Sequence, residues 1–122
     1  MTIGIGIDLV DIDRFRRSVE RTPSMRTRLF TDVELDYVAR QADPIPSLAA
    51  RFAAREAVMK ALGVGLGAFD FHDVWVERAE SGRPWLAFAG RAAELSAAAG
   101  VVTWHLSLTH TSSTAGAYVI AD

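Results

Sequence analysis

The chain has 122 residues, half of them hydrophobic and fewer than a quarter charged, with a net charge of −2. That composition excludes a disordered polymer and suits one domain over residues 1–122. With no cysteine, disulfides and zinc–thiolate centres are excluded too. No basic region followed by an apolar run and a cleavage site opens the chain, and no apolar stretch approaches a membrane span. A cytoplasmic protein with no membrane partner is therefore expected. A domain this short buries about two thirds of its unfolded surface, so association of subunits would add burial it needs.

From the N-terminus, Ile3, Ile5, Ile7 and Leu9 alternate with Gly4, Gly6, Asp8 and Val10. Period two predicts a strand, and its two glycines leave one face open to close packing. Asp8 is the only acidic group on that strand. Ile12, Phe15 and Val19 then recur at helical spacing, in a segment closed by Pro23. Arg14, Arg16, Arg17, Arg21, Arg26 and Arg28 follow one another here, opposed only by Glu20. Such a block reads either as a solvated helix face or as a docking place for an anionic partner.

Thr31 and Glu34 form a capping-box pattern, which predicts a helix from about Asp32 to Gln41. Asp43-Pro44-Ile45-Pro46 is a rigid loop, and Ser47 is the expected cap of a helix over Leu48 to Leu62. Eleven of the fifteen residues in that helix are Ala, Leu, Phe, Val or Met. A helix apolar nearly all round is buried, so its four charges, Arg51, Arg55, Glu56 and Lys60, must be paired or must face a ligand. Gly63, Gly65 and Gly67 form a glycine-rich exit beside Lys60. That exit is either a helix cap with a loose connection or a border for a phosphate chain.

Phe71 to Glu77 is predicted as a strand, Ser81 to Pro84 as a turn, and Trp85 to Phe88 as the hairpin partner. Gly90 to Ala99 is a helix closed by Gly100. Val102, Trp104, Leu106 and Leu108 alternate with Thr103, His105, Ser107 and Thr109, which predicts a strand. A turn at His110 to Ser113 leads to a last strand over Thr114 to Ile120. The expected architecture is α+β, with helices packed on one side of a largely antiparallel sheet.

Two carboxylates on different elements, Asp8 and Glu56, suit a hard cation that keeps several waters and phosphate ligands. Each also has a plainer reading: Asp8 as the cap of the following helix, Glu56 as the partner of Lys60 one turn on. Ser107, Thr109 and His110 offer hydrogen bonds to phosphate oxygens, although a strand facing water has the same pattern. His105 is read as water-facing and His72 as without a catalytic role.

Four blocks together resemble the holo-acyl-carrier-protein synthases, small phosphopantetheinyl transferases. They are Gly4-Ile5-Gly6-Ile7-Asp8-Leu9-Val10; Phe30-Thr31 with Glu34 and Tyr37; Arg51-Phe52-Ala53-Ala54-Arg55-Glu56-Ala57 with Lys60-Ala61-Leu62-Gly63; and Ser107-Leu108-Thr109-His110-Thr111. The resemblance implies a phosphopantetheinyl transferase-like fold. It implies transfer of the 4′-phosphopantetheine group from coenzyme A to a serine of apo acyl carrier protein, in support of fatty acid biosynthesis. Asp8 and Glu56 would hold Mg²⁺, with Glu56 and Lys60 at the reacting phosphate. Arg51, Ser107, Thr109, His110 and Thr111 would meet the coenzyme's phosphates, the 3′-phosphate in particular, and Gly63 to Gly67 would border the nucleotide. Family members are homotrimers with sites at subunit boundaries. With an acidic carrier as partner, Arg14, Arg17 and Arg21, spaced i, i+3 and i+7, become a docking stripe.

One position departs from the family pattern: lysine usually precedes the central glutamate, and here it is Arg55. A guanidinium keeps the charge but does not give up a proton. Two rival readings remain, a Mg²⁺-dependent phosphodiesterase or nuclease and a binding module without catalysis. A nuclease calls for a broader basic surface than this chain carries, so no nucleic-acid partner is expected.

Overall fold

The alternation at the N-terminus forms a strand because one of its faces can be covered and the other cannot. The computed structural model describes residues 1–122. Its elements run β1 (Gly4–Asp11), α1 (Ile12–Arg21), α2 (Met25–Leu29), α3 (Asp32–Val38) and α4 (Ile45–Leu62). A single 3₁₀ turn (Phe71–Asp73) follows, then β2 (Val74–Arg78), β3 (Pro84–Phe88), α5 (Gly90–Ala98), β4 (Trp104–His110) and β5 (Thr114–Ala121). All strand pairs are antiparallel, in a three-stranded sheet of order β1-β5-β4 and a separate β2-β3 hairpin. The fold is α+β, as expected, with the antiparallel structure divided between two sheets.

α4 lies across β1 and β5, and small residues on both sides allow it to come close. A Cβ at Gly4 would lie 2.0 Å from the Ala61 carbonyl oxygen, and one at Gly6 would lie 1.8 Å from that of Ala57. Ala53, Ala54 and Ala57 of α4 are fully buried, as are Ala115, Val119 and Ala121 of β5. One apolar cluster joins this layer to β2, β3 and α5. A second joins Ile12, Phe15 and Val19 of α1 to Leu48 and Ala49 of α4. No helix is long and apolar enough to cross a membrane.

Three local expectations are corrected. The short α2 was not anticipated, since five residues carry too little periodicity to register. α4 starts at Ile45 rather than Leu48, because proline is tolerated in a first turn where its missing N–H has no partner to lose. Ser47 consequently does not cap: its hydroxyl donates to Gln41 Oε1 at 2.9 Å, while Asp43 Oδ1 accepts from the Ile45 N–H at 3.1 Å. The segment expected to be strand from Phe71 begins instead as a 3₁₀ turn capped by Asp70.

Candidate functional site

Asp8 follows Gly4 and Gly6 on the face of β1 that meets α4, and so it is delivered to the flank of that helix. Lys60 Nζ, one turn on from Glu56, donates to the Ile7 carbonyl at 2.9 Å and to Asp8 Oδ1 at 3.2 Å. The plainer readings of both carboxylates fail on this geometry. Asp11, not Asp8, caps α1, accepting from the Arg14 N–H at 2.8 Å. The ammonium of Lys60 pairs with Asp8, leaving the half-buried Glu56 without a salt bridge. Burial is the main force raising the Glu56 pKa above the usual carboxylate range; the Asp8 charge adds to it and Lys60 opposes it.

Asp8 and Glu56 share a cleft of ≈ 390 Å³ whose apolar wall includes Phe15, Met25 and Phe52 and whose rim includes Arg14. No group of three or more His, Cys, Asp or Glu side chains gathers anywhere as a metal cage. Two carboxylate donors, one destabilised by the other's charge, fit Mg²⁺, which leaves its other positions to water and phosphate.

The remaining sequence-selected residues are distributed differently. Ser107 and Thr109 pair across β5 with the register positions of Ile7 and Leu9, on the opposite face of the sheet from Asp8. They line a small hollow of ≈ 80 Å³ with those two residues and Tyr118. His110 and Thr111 lie at the β4–β5 turn, where Thr111 Oγ1 accepts from the N–H groups of Ser113 and Thr114 at 3.2 and 3.0 Å. Within one chain, then, the Ser107–Thr111 segment is not gathered with Asp8 and Glu56. Gly63 is the left-handed cap of α4 at φ 70°, and the space a Cβ would take at Gly63 or Gly65 is open. His105 is exposed and meets Asp122 at 3.1 Å; His72 reaches the Thr27 carbonyl at 2.6 Å.

Arg51 is buried on the flank of α4 that faces α3 and β2, with its guanidinium 4.7 Å from the Tyr37 ring centre. Burial holds it below the usual arginine range. Beside it Arg55 is fully buried and fully used. Its fork meets both oxygens of the equally buried Glu34 at 2.9 and 2.5 Å, and its Nε donates to the Phe71 carbonyl at 2.8 Å. Glu34 also accepts from Thr31 N at 3.0 Å and from Val76 N at 3.1 Å, tying α3, α4 and β2 together. Two clues to this lock stand in the sequence, a capping glutamate and an arginine in an alanine-rich helix, but no local pattern joins them.

On α1, Arg14, Arg17 and Arg21 are exposed. Arg16 is withdrawn from the basic block by a bidentate pair with Asp43 at 3.0 and 2.7 Å, which raises the Arg16 pKa and lowers that of Asp43.

Known proteins resemble this chain along its whole length. The chain is 50% identical to the holo-(acyl-carrier-protein) synthase of Streptomyces avermitilis, over 98% of this chain and 97% of that one. The crystal structure of holo-(acyl-carrier-protein) synthase from Neisseria meningitidis superposes with a TM-score of 0.91 at 30% identity, covering 100% of this chain and 99% of that one. A Bacillus anthracis enzyme of the same name, solved in complex with coenzyme A (3′,5′-ADP), gives 0.82 at 28% identity over 99% and 96% of the two chains. The family model described as the 4′-phosphopantetheinyl transferase superfamily matches residues 4–121. Fold and full-length likeness agree, and the chain belongs to the 4′-phosphopantetheinyl transferase superfamily.

Proposed function

We propose that this chain transfers the 4′-phosphopantetheine group of coenzyme A to a serine of an apo acyl carrier protein, releasing adenosine 3′,5′-bisphosphate, in support of fatty acid biosynthesis in the cytoplasm. The observation that carries it is the cleft lined by Asp8 of β1 and Glu56 of α4, with Lys60 paired to Asp8 beside it.

Phosphoryl transfer asks a protein mainly for alignment and for charges that meet the developing negative charge. Asp8 and Glu56 would hold Mg²⁺, which supplies charge neutralisation on the pyrophosphate when bound. Lys60, more than half exposed and tethered through the Ile7 carbonyl, adds a fixed ammonium to the same place. The serine oxygen forms the new bond to phosphorus as the bond to the departing adenosine bisphosphate breaks, and the serine proton must leave. Glu56, beside the reacting phosphate, is this chain's own candidate acceptor for that proton. Phe15, Met25 and Phe52 keep water from one wall of the cleft. Arg14 on the rim begins the stripe continued by Arg17 and Arg21, a surface of the right sign for an acidic carrier protein.

A homotrimer reconciles the two faces of the sheet. Ile5, Ile7 and Leu9 are 58%, 55% and 67% exposed on the face away from α4, an apolar stripe that invites cover. Packing there would carry the Ser107–Thr111 segment of one subunit towards the cleft of the next. Arg51, Gly63 and Gly65 would then lie with Ser107, Thr109, His110 and Thr111 along the coenzyme.

The test is incubation with coenzyme A, Mg²⁺ and an apo carrier protein, followed by intact mass of the carrier. A gain of one phosphopantetheine is expected with the wild-type chain, and loss of that gain with Asp8→Ala or Glu56→Ala variants that still fold. Binding of both ligands without any mass gain would establish the non-catalytic module instead.

A further inference from the structure

α4 meets β1 through its backbone, with Gly4 and Gly6 against the carbonyls of Ala61 and Ala57, and its fully buried Ala53 and Ala54 add no long side chain. Contacts between such small groups fix how close the helix comes, but their ridges are too low to resist its roll about its own axis. Roll matters because Glu56 shares the cleft with Asp8, whose charge disfavours that of Glu56. A carboxylate about 6 Å from the helix axis moves about 1 Å for a roll of about 10°. Repulsion between the two carboxylates drives such a movement while no cation lies between them. The opposing restraint comes from the residue next to Glu56 in the chain. Arg55, about 100° round the helix, is fully buried and meets both oxygens of Glu34 on α3 and the Phe71 carbonyl of the 3₁₀ turn. Glu34 is itself held by the N–H groups of Thr31 and Val76. One guanidinium thus ties α4 to α3, to the 3₁₀ turn and, through Glu34, to β2.

We infer that Glu34 and Arg55 are positioning residues for the proposed transfer, fixing the roll of α4 so that Glu56 stays beside Asp8 in readiness for Mg²⁺. Neither side chain touches the reacting atoms; each acts through the backbone of α4. The inference rests on the proposed function, with the two carboxylates as the metal pair. A planar fork suits this task better than an ammonium. Two parallel bonds to one carboxylate and a third to a carbonyl fix direction as well as distance. Burial strengthens the restraint, since no water is at hand to take over a donor released by rotation. Apolar side chains in the same places would keep the volume but not the direction, because contacts between them are non-directional and survive a small roll. A misplacement of about 1 Å at a reacting group costs up to about a hundredfold in rate, so a roll too small to unfold the chain is large enough to silence it.

The test is the double variant Glu34→Leu with Arg55→Met, which removes both charges together and whose urea midpoint should stay close to that of wild type. Calorimetric titration of Mg²⁺ into the protein with coenzyme A should show an affinity about tenfold weaker than wild type. The kcat of carrier modification should fall by about ten- to a hundredfold. The KM for the carrier should not change, because the arginines of α1 are untouched. Glu34→Gln keeps the shape of the pair and removes its negative charge; it should move Mg²⁺ affinity and kcat in the same direction, and it decides the matter if the double variant does not fold. Wild-type Mg²⁺ affinity and kcat in the folded variant overturn the positioning role and leave a purely structural pair. A rise in carrier KM equal to the fall in kcat overturns it too, since that is general loosening. A wild-type chain that binds Mg²⁺ but never modifies a carrier overturns the proposed function instead, and the Mg²⁺ affinities of the variants still decide the role of the pair. A wild-type chain that binds no Mg²⁺ overturns the inference.

Discussion

Removal of either partner of the Glu34–Arg55 pair should be among the most damaging single changes this chain can suffer, and removal of both should not. Both side chains are fully buried. Glu34→Ala leaves a guanidinium whose two best acceptors are gone, with only the carbonyls of Phe71 and Arg51 remaining at 2.8 and 3.3 Å. An uncompensated buried charge of this kind costs about 3–5 kcal/mol, a large part of the ~5–15 kcal/mol that holds a domain together. Arg55→Met leaves Glu34 with the N–H groups of Thr31 and Val76 and should fall in the same range. Glu34→Leu with Arg55→Met replaces the pair by apolar volume and should return to within about 1 kcal/mol of wild type. In urea, with a slope of about 2 kcal/mol per molar, a 4 kcal/mol loss moves the unfolding midpoint by about 2 M. A double-mutant cycle from those midpoints should show coupling of several kcal/mol. Single losses that simply add, with coupling under about 0.5 kcal/mol, would refute the lock. Arg55→Lys is the informative intermediate. One ammonium cannot reproduce the fork on Glu34 and also serve the Phe71 carbonyl, so a loss of about 1–3 kcal/mol is expected.

Three further outcomes follow from the same geometry. Gly6→Ala puts a methyl group 1.8 Å from the Ala57 carbonyl oxygen, which only movement of β1 away from α4 can relieve. Urea unfolding should show a loss of about 1–3 kcal/mol or more, with carrier modification falling alongside because Asp8 moves with the strand. Charge reversal at Arg14 or Arg21 should raise the KM for the carrier protein and leave coenzyme A affinity untouched, most visibly at low salt; a fall in coenzyme affinity would misplace the stripe. The Glu56 carboxyl, raised mainly by burial and then by Asp8, keeps its proton to higher pH in the folded chain than in the unfolded one. Its contribution to stability is therefore complete below the ordinary glutamate range and is lost as pH rises through the folded-state value. Melting curves of Glu56→Gln without Mg²⁺ should gain on wild type as pH climbs from about 4 towards neutrality.

What the sequence made legible was whatever a short window encodes. The alternation around Asp8 and the alanine pattern around Glu56 announced a strand and a buried helix, and both are present. Partners far apart in the chain were not legible. Arg16 finds Asp43 and Arg55 finds Glu34, and no local rule distinguishes these arginines from their neighbours. The parity of β4 showed that Ser107 and Thr109 share a face. Only the ladder through β5 showed that this is the face of Ile7 and Leu9 rather than that of Asp8. α4 starts earlier than its apolar pattern suggests because Pro46, a break in a helix interior, is tolerated in a first turn.

The placement of Asp8 is the point at which packing and chemistry become one constraint. Two strand residues advance about 6.7 Å and one helical turn about 5.4 Å, so β1 and α4 run nearly in step in opposite directions. Gly4 lies against the carbonyl of Ala61 and Gly6 against that of Ala57, four residues back. At each of these steps the backbone of α4 occupies the space of a side chain. Asp8 is the next residue on that face and the first with a side chain, so the close approach cannot continue past it. Its carboxylate goes to the flank of the helix, where Lys60 receives it and Glu56 feels its charge. Beyond it, at Val10 and Phe52, the strand and helix border the open cleft. The two glycines thus do more than allow tight packing: they set how deep along α4 the first carboxylate can enter, and so where two negative charges must face each other.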